Sequence, residues 1–176
     1  MKLKKLNLIA VIFLITTAIF GIIYATTQQA LRHSANDPQI QMAEDAATAL
    51  NMDANPQTLP AGHVILQESL APFLIIYDDS GKPIASSGYL AGKIPVPPNG
   101  VFDYTRNAIE DRVTWQPAPG VRIAAVITRY NSGFVLAGRS LREVERREDQ
   151  TFLFAAAGWL FSVALLLLSF YFLGGK

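Results

Sequence analysis

Two long stretches without a charged side chain constrain this chain more than anything else in it. The first runs from Leu6 to Tyr24 and the second from Phe152 to Leu173. Each reaches or exceeds the roughly 18 apolar residues that carry a helix, rising ~1.5 Å per residue, across a hydrocarbon core about 30 Å thick. Neither has the polar face that a surface helix of a soluble protein turns to water. The sequence therefore predicts two membrane-spanning helices, at 6–24 and 152–173, with a segment from 25 to 151 between them. Tyr24, Trp159 and Tyr171 suit interfacial or near-interfacial positions. Bulk composition alone says little: 51% of the residues are hydrophobic, only slightly more than in a soluble protein.

A cleaved signal peptide is the rival reading of the first run. Such a peptide has an apolar core of about 7–15 residues and a small-x-small cleavage site. Here the apolar run is longer, and cleavage after Ala25 would place Ile23 where a small residue belongs. An uncleaved anchor is expected. Lys2, Lys4 and Lys5 precede the first span and Lys176 follows the second, with no acid in either tail. The positive-inside rule then puts residues 1–5 and 174–176 in the cytoplasm and 25–151 outside. Arg139, Arg142, Arg146 and Arg147 argue the other way, but charges in a long loop count less. The absence of cysteine fits either compartment.

The segment between the spans carries 11 of the 15 basic residues and all 14 acidic ones, a net charge of −3. That excludes a strongly basic nucleic-acid surface. About 125 residues is the usual size of one compact domain. Residues 25–35 are expected to extend the first helix. Asn36-Asp37-Pro38 punctuates it, with Asp37 as N-cap and Pro38 at the first helical position. Ile40, Ala43, Ala46, Ala47 and Leu50 then follow at helical spacing. Asn51 to Pro60 breaks that pattern.

The character then turns to strand. Phe73 to Tyr77 and Pro83 to Ser87 read as a hairpin around the Asp78-Asp79-Ser80-Gly81 turn. Gly88 to Gly100 reads as a long proline-rich connection. Asn99 is expected to cap a helix covering Phe102, Tyr104, Thr105, Ala108 and Ile109. Val113 to Gln116 is strand-like, and Pro117 to Gly120 a turn. Val121 to Arg129 is the strongest strand signal, with Val121, Ile123, Ala125 and Ile127 alternating against Arg122, Ala124, Val126 and Thr128. Asn131-Ser132-Gly133 turns the chain into a last strand, Phe134 to Gly138. Ser140-Leu141-Arg142-Glu143 has the form of a capping box. From Leu141 to Leu173 only Gly158 interrupts an otherwise Gly- and Pro-free stretch, so one rigid helix of ~50 Å is expected to run on into the second span.

The segments Pro72 to Gly88, Val121 to Val126 and Gly133 to Glu145 resemble the extracytoplasmic PAS-like (PDC or Cache-type) sensor region of bacterial two-component histidine kinases. The resemblance covers roughly residues 25–150. It implies an α+β fold: a PAS-like antiparallel sheet of about five strands with N-terminal helices, flanked by the two transmembrane helices. It also implies a two-pass protein of the bacterial inner membrane that binds a small extracellular ligand between the sheet and its loops and passes movement through a membrane helix. Such kinases continue into a HAMP linker, a phosphoaccepting helix and an ATPase domain. Here Gly174-Gly175-Lys176 follows the second span, so output is expected to belong to a partner, such as a histidine kinase.

Catalysis is not expected. His33 and His63 lack metal-ligand spacing, Asp78 and Asp79 sit in a turn, and Ser86-Ser87-Gly88 lacks the strand-to-helix elbow of a serine hydrolase. No cofactor or metal motif is present. Tyr77, Trp115, Arg122 and Arg129 are the candidate ligand-binding residues, an aromatic wall with positive charge suited to a small anion. Tyr77 and Trp115 serve equally well as core, and arginines alternating on a strand usually face water. The competing function is a non-sensing scaffold. In that case Ala155, Ala156, Ala157 and Gly158 offer a close-packing surface to another span, and the Arg139 to Asp149 charge run supports a homodimer.

Overall fold

The computed structural model describes residues 2–34 and 37–174. Asn36 and Lys176, used above for helix punctuation and orientation, lie outside the described residues. The elements are α1 (Lys2–Ser34), α2 (Asp37–Asn51), β1 (Val64–Ile65), β2 (Phe73–Asp78), β3 (Pro83–Ser86), β4 (Gly88–Tyr89), α3 (Asn99–Ala108), β5 (Glu110–Ala118), β6 (Val121–Tyr130), β7 (Gly133–Ser140) and α4 (Arg142–Gly174). They form two compact units, one of the long helices up to Arg32 and from Glu145, the other His33–Val144. The second is narrower than the 25–151 segment because the helical extensions on either side belong with the helix pair.

In the first unit, α1 and α4 are long and apolar enough to cross a membrane. Their large apolar side chains, among them Leu14, Ile22, Phe154 and Phe161, are exposed rather than packed in a protein core. The two helices do touch each other. Trp159 Nε1 donates to Thr17 Oγ1 at 2.9 Å, and the Phe13 and Trp159 rings meet edge to face, as do Tyr24 and Phe152. A Cβ built on Gly158 would lie 2.8 Å from the Phe20 ring. The glycine of the small-residue cluster is thus spent on the chain's own first helix. At the end of the pair, the Arg32 guanidinium makes two hydrogen bonds to the Glu148 carboxylate, at 2.7 and 3.3 Å.

In the second unit, β2, β3, β5, β6 and β7 form an antiparallel sheet in the order β3-β2-β7-β6-β5, so the class is mixed helix and sheet. The first and last of these strands pair at its centre, with Tyr77 opposite Phe134 and Phe73 opposite Gly138. Strict alternation on β6 suggests one wet face, yet Ile123 to Thr128 are buried without a break. The reason is that both faces are covered. On one face α2 lays Ala43, Ala46, Ala47 and Leu50 against Leu74, Ile76, Val126, Val135 and Ala137. On the other, Phe102 of α3 joins Ile75, Tyr77, Ile123, Ile127, Phe134 and Leu136. Each large side chain fully buried this way contributes roughly 1.5–3 kcal/mol.

Phe73 shows how tightly that second core is fitted. A Cβ on Gly88 or on Gly138 would come within 2.5 Å of its ring. Gln39, one turn ahead of Ala43 on the packed face of α2, is fully buried, and its amide has no hydrogen-bond partner among the described residues.

Several expectations are corrected. Asn99 does not cap α3 through its side chain; the preceding residue is Pro98, in extended backbone, and Asn99 is already helical. The helix ends at Ala108, and Ile109 takes a left-handed φ of +69°. The connection after Gly88 starts as structure, because β4 pairs in parallel with β1. Pro117 and Ala118 belong to β5, where a bulge between Trp115 and Ala118 accommodates the proline. At the start of α4, the Ser140 hydroxyl accepts from Arg142 N at 3.3 Å. The Arg142 guanidinium donates to the carbonyls of Gln67 and Glu68.

Candidate functional site

The face of the sheet that carries Phe102 is closed at one end by the loop leading to α3. That loop is held in two ways. Leu90 and Lys93 exchange backbone hydrogen bonds at 2.8 and 3.0 Å across Ala91 and Gly92. Both central residues have positive φ, +48° and +75°, which is the geometry of a type I′ turn. Further on, the Tyr77 hydroxyl donates to Pro95 O at 2.7 Å.

Between this loop and the bulged end of β5 lies an open groove of about 500 Å³. Its walls are Leu90 and residues 93–98 on the loop side and Trp115, Gln116 and Pro117 on the strand side. Its volume lies in the range of small-molecule sites, and the groove is open to solvent. Trp115 is nine-tenths buried, as part of the core beneath the groove, and Lys93 is the only charged residue in the lining.

The four sequence candidates are not gathered in one place. Trp115 lines the groove. Tyr77 is fully buried, its ring edge-on to Phe102, and burial pushes its hydroxyl well above the usual range, so it stays protonated. It supports the groove through Pro95 from beneath. Arg129 lies on the same face as Ile127 but at the far end of β6. There its guanidinium donates to Arg106 O at 3.0 Å and its backbone N–H to Ile109 O. Arg122 alternates with Ile123 and so projects to the opposite face from Trp115. Lys93, a single lysine in a proline-rich stretch, carries no sequence pattern; it joins the lining of the groove through the loop that the turn at Ala91 and Gly92 holds.

The turn between β2 and β3 is built by its own side chains. Asp78 Oδ1 accepts from Ser80 Oγ, Ser80 N and Lys82 N. These bonds, the Ser80 hydroxyl first, hold its carboxyl below the ordinary aspartate value. Arg106 of α3 donates to Asp79 O at 2.6 Å and lies over the Phe134 ring. The Ser87 hydroxyl accepts from Leu74 N at 2.9 Å, and His63 stacks on Tyr89. Each of these groups is engaged in holding the fold. No family model matches the chain, and neither a curated protein nor a solved structure matches it.

Proposed function

We propose that this chain is a two-span membrane protein of the bacterial inner membrane with a PAS-like extracytoplasmic sensor domain. In this reading both termini are cytoplasmic, the domain binds a small ligand, and the change is passed to a signalling partner such as a histidine kinase. The groove beside Trp115 is the observation that carries it. It is walled by a loop pinned to the sheet centre through Tyr77 and by an edge strand of the same sheet. Central strand β7 runs from the Tyr77–Phe134 pair to Ser140, and α4 begins at Arg142. A ligand that moves the loop therefore acts on the sheet whose last strand leads into a membrane helix. The element order of helix, hairpin, helix, three-stranded meander and helix also supports the PAS-like reading.

The test is a broad metabolite screen on the full chain in lipid nanodiscs, read by thermal shift. A ligand present at 100 times its Kd stabilises by about 2.7 kcal/mol. A hit whose effect vanishes in Trp115→Ala supports sensing at the groove; a screen in which no compound shifts the transition overturns it.

A further inference from the structure

The lining of the groove restricts what fits it. Its walls are aliphatic, aromatic and proline-rich, with four proline rings, at 95, 97, 98 and 117. The polar side chains in the lining are those of Lys93 and Gln116, and none of the lining residues is acidic. Lys93 is held by the tight turn at Ala91 and Gly92, so its backbone is positioned although its side chain is exposed. A ligand ammonium would find no counter-charge here and would meet Lys93 as a like charge. A sugar would find too few donors and acceptors for its hydroxyls, since each polar group buried without a partner is costly.

We infer that the groove binds a small organic anion with an apolar body and a single anionic head, the body against Trp115 and the head at Lys93, and that it rejects zwitterionic amino acids. This rests on the reading of the groove as a ligand site and names the class of ligand. Gln116 supplies a neutral hydrogen-bonding group on the opposite wall.

The experiment uses the full chain in nanodiscs with four compounds that share a phenyl body: 4-phenylbutyrate, 4-phenylbutanol, 4-phenylbutylammonium and phenylalanine. Binding is read from Trp115 fluorescence in a Trp159→Phe background and, without any replacement, from calorimetry on the wild-type chain. The carboxylate is expected to bind about two- to fivefold tighter than the alcohol at low salt, with the advantage shrinking as salt rises. Binding of the ammonium and the zwitterion is expected to be weaker than that of the alcohol. Lys93→Gln is expected to remove the carboxylate's advantage over the alcohol.

Equal binding of carboxylate and alcohol overturns the charge assignment while leaving the groove a ligand site. Preference for phenylalanine overturns it too. Loss of all four signals, with a saturable Trp115 response to another compound of the metabolite screen, overturns the ligand class alone. No response to any compound overturns both this inference and the sensor reading.

Discussion

The Tyr77 hydroxyl, in the centre of the core, donates to the carbonyl oxygen of Pro95 at 2.7 Å, and so joins the middle of the sheet to the loop that walls the groove. The bond is buried, and the Tyr77 ring is wedged edge-on against Phe102 at 5.1 Å between centroids.

Tyr77→Phe keeps the ring and removes the donor, leaving Pro95 O without its partner. The expected loss is about 1–2 kcal/mol of stability. The same change is expected to speed amide hydrogen exchange in residues 90–96 while β6 remains protected. Exchange followed by mass spectrometry on the full chain checks both; an unchanged loop would show that the bond does not hold it.

Phe73 occupies a slot between two glycines, Gly88 and Gly138, each with room for no Cβ. Gly138→Ala is expected to destabilise by about 1–3 kcal/mol or more through overpacking. The double variant Gly138→Ala with Phe73→Leu should recover part of that loss, because the ring is the atom group in the way. Thermal unfolding of the wild type, of Gly138→Ala and of the double variant tests this.

Ile109 follows α3 with a φ of +69° and a side chain 69% exposed. A β-branched residue is poorly suited to that conformation, and glycine carries no such penalty. Ile109→Gly is therefore expected to raise stability by about 1 kcal/mol, since little packing is lost. A lowered transition temperature would contradict the assignment of strain.

Asp78 is held below its ordinary pKa of 3.8, first by the Ser80 hydroxyl and then by the Lys82 N–H. A carboxyl depressed in the folded state contributes stability that is complete above its unfolded pKa. That contribution is lost as pH falls through the folded value. Asp78→Asn should therefore be less stable than the wild type at pH 7, with the difference closing below about pH 4. Unfolding midpoints measured from pH 7 to pH 2 check the convergence.

Gly158 lets α4 approach Phe20 of α1, and Trp159 on the next position donates to Thr17. Gly158→Leu should force the helices apart and break that hydrogen bond, for which membrane values run from about 0.6 to 2 kcal/mol. The chain has two tryptophans, so its two indole N–H signals report separately. The Trp159 signal should move on substitution and the Trp115 signal should stay.

Much of this architecture was legible in local pattern. The two charge-free runs, the Asp78 to Gly81 turn, the β2–β3 and β6–β7 hairpins and the long helix after Ser140 depend on neighbours in sequence. Periodicity and turn chemistry read such neighbours directly. Burial of both faces of β6, the pairing of Phe73 with Gly138, and the choice of Gly158 for Phe20 depend on residues far apart in the chain. So does the site. Tyr77, Trp115, Arg122 and Arg129 looked equivalent as aromatic and cationic residues on strands, but strand register sends Arg122 to one face and Trp115 to the other, and places Arg129 at the end of α3. Lys93 and Gln116 enter only because a tight turn and an edge-strand bulge bring two unremarkable stretches to opposite walls of one groove. Local sequence determined the long helices, the hairpin strands and the apolar spans; only tertiary packing decided the short β1–β4 pairing, the full length of β5 and which side chains share a surface, because these are set by pairing register and by what covers each face.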